Sequence, residues 1–402
     1  MFFPKKVFCR TFQLGFRAAL PVLPYREPVI INSCADLGRT LKKEGATHVL
    51  IVTDRGIVEN GISGLLEAAL NRFGIPYTIY DKTLPNPTVE HVEEALSLYH
   101  QNKCDAIIAI GGGSSMDCAK AVGARVAYPN KTLAQMKGVL RVLKKTPTII
   151  AIPTTAGTGS EVTLAAVITN AHEHHKYAIM SFPLIPDYAV LDASLTYSLP
   201  KHLTSTTGMD ALTHAVEAYI GRSTTKQTRT LALEATKLVF DNIEHAYECG
   251  TNHEARKNML HAAYKAGIAF SMSYVGYIHA IAHSLGGQYG VPHGLANAVT
   301  MPYVLEAYGD AAHRKLHELG VAAGVCSTNE TDAEGAYKFI EAIKELNAKM
   351  SIPTKISGIK RDDIEHLSRT AEKEANPLYP VPKLMTAQEL ANLYVEIADW
   401  SQ

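Results

Sequence analysis

The stretch IIAIGGGSSMDCAK, residues 107–120, decides the fold class of this chain. Its isoleucine-rich run favours a buried strand, its three glycines favour a tight turn, and the segment after them favours the start of a helix. A helix that begins directly after a strand offers free N–H groups and the positive end of its dipole, and both bind phosphate. The stretch therefore predicts a nucleotide-binding turn. Because Met116 departs from the GxGxxG pattern, a purely structural turn fits the glycines about as well.

Further strand signals flank this turn, and helix-like segments separate the first three strands. The β-rich runs are HVLIVTD (48–54), YTIYD (77–81), TIIAIPTT (148–155), a hairpin-like pair AAVITN and KYAIMS (165–181), and DYAVLD (187–192). Continuous apolar strands of this kind favour a parallel sheet covered on both faces. After about Pro200 only helical spacing remains. We therefore predict an α/β, Rossmann-like dinucleotide-binding domain over residues 1–198, followed by an all-helical metal-binding and catalytic domain over residues 199–402.

The helical half carries histidines with the spacing of metal ligands. Asp210 and His214 lie one helical turn apart, and so do His279 and His283; either pair alone would fit an ordinary contact on a helix face. His293 follows His279 by 14 residues, about 21 Å along a continuous helix, whereas two ligands of one ion lie within about 4 Å of each other. The chain must therefore break and return, and the glycines and proline between 286 and 292 allow this. A carboxylate with several imidazoles suits Fe(II), Zn(II) or a similar ion.

Polar side chains also follow the strand ends in the α/β half. Asp54 ends the first core strand, where a carboxylate can accept both ribose hydroxyls and repel a 2′-phosphate. It fits a helix N-cap as well, and Arg55 beside it could instead bind the phosphate of NADP. The segment PTTAGTGSEVT (153–163) offers several hydroxyl groups after a strand, although Thr158 with Glu161 also fits a capping box.

Composition and charge exclude several classes of protein. The chain is 47% hydrophobic and 19% charged, and it has 39 basic and 39 acidic side chains, so no net charge favours nucleic acid or a membrane surface. No apolar run approaches the roughly 20 residues of a membrane helix. The six cysteines form no CxxC pair, which favours reduced thiols and a cytoplasmic location. The first 26 residues hold five basic residues and no acid, as a transit peptide would, but Pro4, Pro21 and Pro24 are expected to interrupt any long amphipathic helix there.

Four motifs together resemble the iron-activated (group III) alcohol dehydrogenases: GGGSSMDCAK, PTTAGTGSEVT, TGMDALTHAVEAY and HAIAHSLGGQYGVPHGLANA. The resemblance runs from about residue 28 to the end, while the first 27 residues match no motif of the family. It implies metal ligands at Asp210, His214, His279 and His293, with a further histidine near the metal at His283. It implies cofactor contacts at Asp54, Asn86, Gly112, Gly113, Ser114, Thr154, Thr155, Thr158 and Lys176.

The resemblance predicts a metal-dependent, NAD(H)-linked alcohol dehydrogenase or aldehyde reductase for small primary alcohols or diols, similar to lactaldehyde and 1,3-propanediol reductases. Fe(II) is the favoured metal and Zn(II) the alternative, and a homodimer or higher homo-oligomer is expected. We predict NAD over NADP because of Asp54, and His283 as the first relay for the alcohol proton. Two alternatives stay open, a hydroxyacid–oxoacid transhydrogenase and a dehydroquinate-synthase-like lyase. Net NADH accumulation with a simple primary alcohol would distinguish a dehydrogenase from both.

Overall fold

The structure is a computed structural model, and it describes residues 3–20, 23–170 and 175–401. Within these residues the strands are β1 (Val29–Ile31), β2 (Val49–Val52), β3 (Tyr77–Tyr80), β4 (Ala106–Gly111), β5 (Gly138–Val139), β6 (Thr148–Pro153), β7 (Ala165–Asn170), β8 (His175–Met180) and β9 (Tyr188–Val190). The helices are α1 (Phe3–Ala19), α2 (Cys34–Glu44), α3 (Arg55–Glu59), α4 (Gly64–Arg72), α5 (Val89–Gln101), α6 (Gly113–Ala127), α7 (Lys201–Ile220), α8 (Lys226–Glu248), α9 (His253–Ser273), α10 (Tyr277–Tyr289), α11 (His293–Tyr308), α12 (His313–Ala322), α13 (Asp332–Lys349), α14 (Ile364–Ala375) and α15 (Ala387–Ile397).

The chain divides into two compact units. One is Pro24–Ser198, and the other combines Leu199–Gln402 with Met1–Leu23. Helix α1 groups with the helical unit, although residues 1–198 were predicted to form the nucleotide domain. The physical reason is that side chains of α1 donate hydrogen bonds to a loop near residue 380, described below.

The α/β unit contains a parallel six-stranded sheet with the order β1-β9-β6-β4-β2-β3. Successive side chains of its central strands enter two different cores, because a strand projects neighbouring residues to opposite faces. Ile107 packs with α5 and α6 on one face, while Ile108 packs with α2 and α4 on the other. The structure therefore confirms the predicted parallel sheet covered on both faces.

A second, three-stranded sheet has the order β5-β8-β7, and its β7–β8 pair is the antiparallel hairpin that the sequence predicted. Strands β1 and β5 were not predicted from the sequence. These strands hold only three and two residues, which is too short for an alternating pattern to be recognised.

The helical unit is built around α7, in which every residue from 208 to 220 is buried. A helix that is buried on all sides belongs to the centre of its domain. The predicted chain reversal also forms. Helix α10 ends at Tyr289 and is capped by Gly290, whose φ of +69° suits glycine, and α11 begins at His293 directly after Pro292.

Helix α1 corrects one expectation of the sequence analysis. The prolines of the N-terminal segment do not interrupt an amphipathic helix, since α1 runs for 17 residues from Phe3 to Ala19. Pro4 lies in the first turn, where a helix needs no N–H from it, and the next proline follows only after the helix has ended.

All six cysteines are free thiols. None of the helices given above, which cover the described residues only, has the length and apolar character that crossing a membrane requires.

Candidate active site

Asp210 lies close to His279 and His293, the two histidines on either side of the chain reversal between α10 and α11. Its Oδ1 lies 3.8 Å from His279 Nε2 and 3.5 Å from His293 Nε2. The three ligand atoms all lie within 4.8 Å of one another. Ligands that each bind one ion at about 2.1 Å must be separated by roughly these distances. The three side chains therefore fit a divalent metal ion.

His214, the fourth predicted ligand, lies beside this triad. Its Nδ1 is 4.0 Å from Asp210 Oδ1, and its ring stacks on His279 at 4.5 Å and on Phe270 at 4.0 Å between centroids. The group of three ligand atoms does not include it. Its ligand role stays a prediction, with the ring adjacent to the triad.

Glu217 is a buried carboxylate that the sequence analysis missed. It accepts hydrogen bonds from the backbone N–H groups of Gly276 at 2.7 Å and Ile278 at 2.8 Å. Its Oε2 lies 2.7 Å from His279 Nδ1. An Nδ1–H donated to a carboxylate leaves Nε2 free to bind a metal. The missed signal was helical spacing, since Glu217 follows Asp210 by seven residues and therefore lies on the same face of α7.

Burial shifts the pKa values of both His279 and Glu217. Burial, followed by the neighbouring imidazoles of His214, His293 and His283, lowers the pKa of His279 well below its usual value. The neutral imidazole that results is the form that binds metals. Burial also raises the pKa of the Glu217 carboxyl to about 8, while the N–H groups of residues 276, 278 and 279 oppose this rise.

We expect Glu217→Gln to weaken iron binding about 10–100-fold, because partners of metal-binding histidines usually contribute that much. The amide places an N–H₂ group against an N–H that the carboxylate accepted, either that of Ile278 or those of Gly276 and His279, and it removes the negative charge beside the imidazole. Titration of the apoprotein with Fe(II) measures the effect. Glu234→Gln, an exposed carboxylate on α8 paired with Lys265, is the matched control. Unchanged iron affinity in Glu217→Gln would contradict the positioning role.

Asn297 is a second buried neighbour that the sequence analysis missed. Its Nδ2 lies 2.7 Å from Asp210 Oδ1, 3.3 Å from His279 Nε2 and 3.2 Å from His293 Nε2. It follows His293 by one turn of α11, so helical spacing could again have found it. Its amide nitrogen therefore lies within hydrogen-bond distance of all three ligand atoms of the triad.

His283 lies next to the triad but outside it. Its side chain is 44% exposed, and its Nδ1 lies 2.6 Å from Glu374 Oε1. Its ring stacks on that of His293 at 5.2 Å between centroids. Burial favours a raised pKa for Glu374, but the charge and hydrogen bond of His283, together with the hydroxyl of Tyr379, hold this pKa below its usual value. The geometry thus pairs His283 with a carboxylate close to the candidate metal ligands.

The glycine turn of the α/β unit joins β4 to α6. Gly112 is the residue before the helix, and the N–H of Thr154 donates to the carbonyl of the preceding Gly111 at 3.0 Å. A Cβ on Gly113 would lie 3.0 Å from the Thr158 side chain, and one on Gly112 would lie 3.8 Å from Thr155. The threonine segment therefore packs directly against the glycine turn. The missing Cβ atoms and the N-terminus of α6 suit a pyrophosphate.

Three further predicted residues meet at this turn although they are distant in sequence. The N–H of Asn86 donates to Ser114 Oγ at 3.3 Å, and Lys176 Nζ donates to Asn86 Oδ1 at 2.7 Å. Asn86 adopts a φ of +60°, which asparagine tolerates better than most residues. The turn thus carries a cation and an amide beside the start of α6.

Asp54 reaches the same turn from β2. Its Oδ1 accepts the N–H of Ile57 at 3.1 Å, which makes Asp54 the N-cap of α3. Its Oδ2 lies 3.4 Å from the position of a Cβ on Gly111. The N-cap interpretation is therefore confirmed, and the ribose contact stays a prediction.

The proposed capping box of the threonine segment does not form. Thr158 Oγ1 accepts the N–H of Ser160 at 3.2 Å, two residues away, and Gly159 with a φ of +61° precedes the short helical turn. Glu161 is buried, and this burial raises its pKa to about 7. Thr158 is thus held by a local turn that keeps its methyl group against Gly113.

A phosphate-binding turn in an α/β unit and an aspartate–histidine triad in a helical unit define the class of protein. The first suits a dinucleotide, and the second suits a divalent metal that activates a small oxygen-containing substrate. The chain therefore has the parts of a nucleotide- and metal-dependent oxidoreductase.

Comparisons with known proteins agree with this class. The model of the iron-containing alcohol dehydrogenases matches residues 29–193, and that of the C-terminal region of the same family matches residues 204–398. The 1,3-propanediol dehydrogenase of Klebsiella pneumoniae is 35% identical over 367 residues, covering 90% of this chain and 94% of that protein. The NAD-dependent methanol dehydrogenase of Bacillus methanolicus is 35% identical over 360 residues, covering 89% and 94%. A crystal structure of a 1,3-propanediol oxidoreductase superposes with a TM-score of 0.89 at 34% identity, covering 93% and 99%.

The chain belongs to the iron-containing alcohol dehydrogenase family. It is an NAD(H)-linked alcohol dehydrogenase or aldehyde reductase that uses iron, as the resemblance of its four motifs predicted. The relatives named above are dehydrogenases, which supports this activity over the transhydrogenase and lyase alternatives.

Proposed function

We propose that the protein interconverts small primary alcohols or diols and their aldehydes at the site around Asp210. The observation that carries this proposal is the triad of Asp210, His279 and His293, whose ligand atoms lie within 4.8 Å of one another. The names of the relatives, which refer to 1,3-propanediol and methanol, support small aliphatic substrates.

A screen of C2–C6 alcohols and diols with NAD tests the substrate class. The protein is reconstituted separately with iron and with zinc, and net NADH formation is followed. We expect turnover with short primary alcohols or diols and higher rates with iron. Hydride transfer that occurs only when an oxo-acid is added would instead indicate the transhydrogenase.

We propose Asp210, His214, His279 and His293 as the residues that hold the iron. Iron in such a site supplies a Lewis acid that lowers the pKa of an alcohol hydroxyl. Glu217 contacts Nδ1 of His279 and thereby keeps its metal-binding Nε2 aligned.

We propose His283 as the group that accepts the substrate proton. Its Nδ1 hydrogen bond to Glu374 leaves Nε2 as the proton acceptor, because a neutral imidazole has one donor and one acceptor nitrogen. The carboxylate of Glu374 stabilises the imidazolium that forms. With 44% of its side chain exposed, His283 can pass the proton on to water.

We propose that NAD(H), which takes up or delivers the hydride, binds at the glycine turn. The proposed contacts are those predicted from the sequence: Asp54, Asn86, Gly112, Gly113, Ser114, Thr154, Thr155, Thr158 and Lys176. Their support is that all of them lie on the strand ends and turns around the start of α6.

Asp54→Gly is expected to lower the preference for NAD over NADP about fivefold or more, since a carboxylate near a 2′-phosphate costs at least about 1 kcal/mol in repulsion. Because Asp54 also caps α3, Asp54→Asn is the matched variant, which keeps a capping side chain and removes the charge. The ratio of kcat/KM for the two cofactors is measured. Equal efficiency with both cofactors in the unmutated protein would mean that Arg55 dominates or that Asp54 does not face the ribose.

We also propose a cytoplasmic homodimer or higher homo-oligomer. The free thiols support the location. Val29 and Ile30 support association, since they are 59% and 40% exposed on the edge strand β1, and exposed apolar edges tend to pair. Light scattering tests the assembly and cell fractionation tests the location. A monomer at micromolar concentration would contradict the proposed homo-oligomer.

A further inference from the structure

Helix α1 is the part of the chain that the family does not explain. The matched family regions begin at residue 29, yet α1 is folded against the helical unit with Cys9 and Gln13 buried at 1% and 4% exposure. Its buried face contacts the segment Asn-Pro-Leu-Tyr-Pro-Val-Pro, residues 376–382, which we call the proline loop. A buried glutamine on an extra helix requires hydrogen-bond partners, and the proline loop supplies them.

Two side chains of α1 hold four carbonyl groups of the proline loop. Gln13 Nε2 donates to the carbonyls of Tyr379 at 2.7 Å and Pro377 at 3.2 Å. Arg10 donates to the carbonyls of Val381 at 2.7 Å and Pro382 at 2.9 Å. Arg10 also donates to Gln13 Oε1 at 2.8 Å, which fixes the amide orientation.

The composition of the loop explains why it needs outside donors. Pro377, Pro380 and Pro382 have no N–H group, so the loop offers many acceptors and few donors of its own. Buried carbonyls without donors are unfavourable. The carbonyl of Pro380 accepts the backbone N–H of Arg222, and that of Tyr379 accepts the N–H of Val381 at 2.9 Å as well as that of Gln13. The carbonyls of Pro377, Val381 and Pro382 receive their donors from α1. Helix α1 therefore supplies hydrogen-bond donors that the loop itself lacks.

The loop leads directly to the proposed proton relay. The hydroxyl of Tyr379, a residue only 7% exposed, donates to Glu374 Oε1 at 2.7 Å. The same carboxylate oxygen lies 2.6 Å from His283 Nδ1, and the ring of His283 stacks on that of His293. Tyr379 is thus held at its backbone by Gln13 and holds Glu374 with its side chain.

We infer that α1 positions His283 for catalysis: Gln13 and Arg10 fix the proline loop, Tyr379 of the loop fixes Glu374, and Glu374 orients the imidazole. This inference rests on the proposed role of His283. It gives α1 a function in the active site that acts through other residues. Among the hydrogen bonds of the described residues, none joins α1 to a proposed metal ligand. Gln13, Arg10 and Tyr379 are positioning residues in this scheme.

The test compares Gln13→Ala and Arg10→Ala with Arg17→Ala, an exposed position on the same helix. Hydrogen–deuterium exchange of the peptide that covers the proline loop is expected to rise in the first two variants and not in the control. We expect kcat to fall about 10–100-fold, since small displacements of catalytic groups have effects of this size. Bound iron and KM are expected to stay within about twofold, because neither the proposed ligands nor the cofactor turn is changed.

A double-mutant cycle identifies the route of the effect. If Gln13 acts through the hydroxyl of Tyr379, then Gln13→Ala in a Tyr379→Phe background lowers kcat no further than Tyr379→Phe alone. Unchanged kcat in Gln13→Ala, with only a lower melting temperature, would overturn the inference and leave the proposed role of His283 intact. Unchanged kcat in His283→Ala would overturn that proposed role, and the inference with it.

Discussion

Alanine at position 293 is expected to remove most of the bound iron and nearly all turnover. The change leaves Asp210 and His279 as a pair, with the proposed ligand His214 beside them, its Nδ1 at 4.0 Å from Asp210 Oδ1. Iron supplies the Lewis acid for the reaction, so the loss in kcat/KM is expected to exceed the roughly 10²–10⁴-fold that general acid–base groups contribute. His293 is the most informative ligand to change, because its side chain is 40% exposed and its removal leaves no large cavity in the core.

Iron content per chain and kcat/KM are measured for this variant and for His261→Ala, a histidine of α9 in the same unit, as the control. Asp210→Ala and His279→Ala are expected to behave like His293→Ala. His214→Ala decides the ligand number: lost iron supports four protein ligands, while retained iron reduces the site to the three atoms that lie within 4.8 Å. Full iron occupancy in His293→Ala would refute the whole assignment.

Short-range patterns explain what could be predicted from the sequence. The parallel sheet follows from continuous apolar strands such as residues 106–111, all of which are buried. The return of the chain between His279 and His293 follows from distance alone, since one helix cannot bring two residues so far apart to one ion. Gly290 and Pro292 then fix where the turn lies. The residues concerned are close to one another in the chain.

Long-range contacts explain what the sequence did not reveal. Gln13 and Tyr379 are 366 positions apart, so no periodicity connects α1 with the loop that it holds. The same applies to Glu374, which lies 91 positions from His283. Glu217 and Asn297 are different, because both follow a proposed ligand on the same helix face. Their burial against the ligands could have been predicted from helical spacing.

His283→Ala is expected to keep its iron and its fold while kcat falls about 10²–10⁴-fold. The side chain lies outside the triad, 5.2 Å from the His293 ring between centroids, so the ligands lose no bond to the metal. The reaction instead loses the group that accepts the substrate proton. Glu374→Gln is expected to cause a smaller loss in the same direction, since an amide cannot stabilise the imidazolium as a carboxylate does.

The control for His283→Ala is Gln288→Ala, an exposed position on the same helix α10, which should leave kcat, KM and iron content unchanged. The proton relay also predicts that the effects of His283→Ala and Glu374→Gln are not additive, because the carboxylate acts through the imidazole. Loss of iron from His283→Ala would make His283 a ligand and one of the four proposed ligands wrong. Full activity with full iron content in His283→Ala would mean that the His283 ring only packs against His293. The substrate proton would then leave by another route.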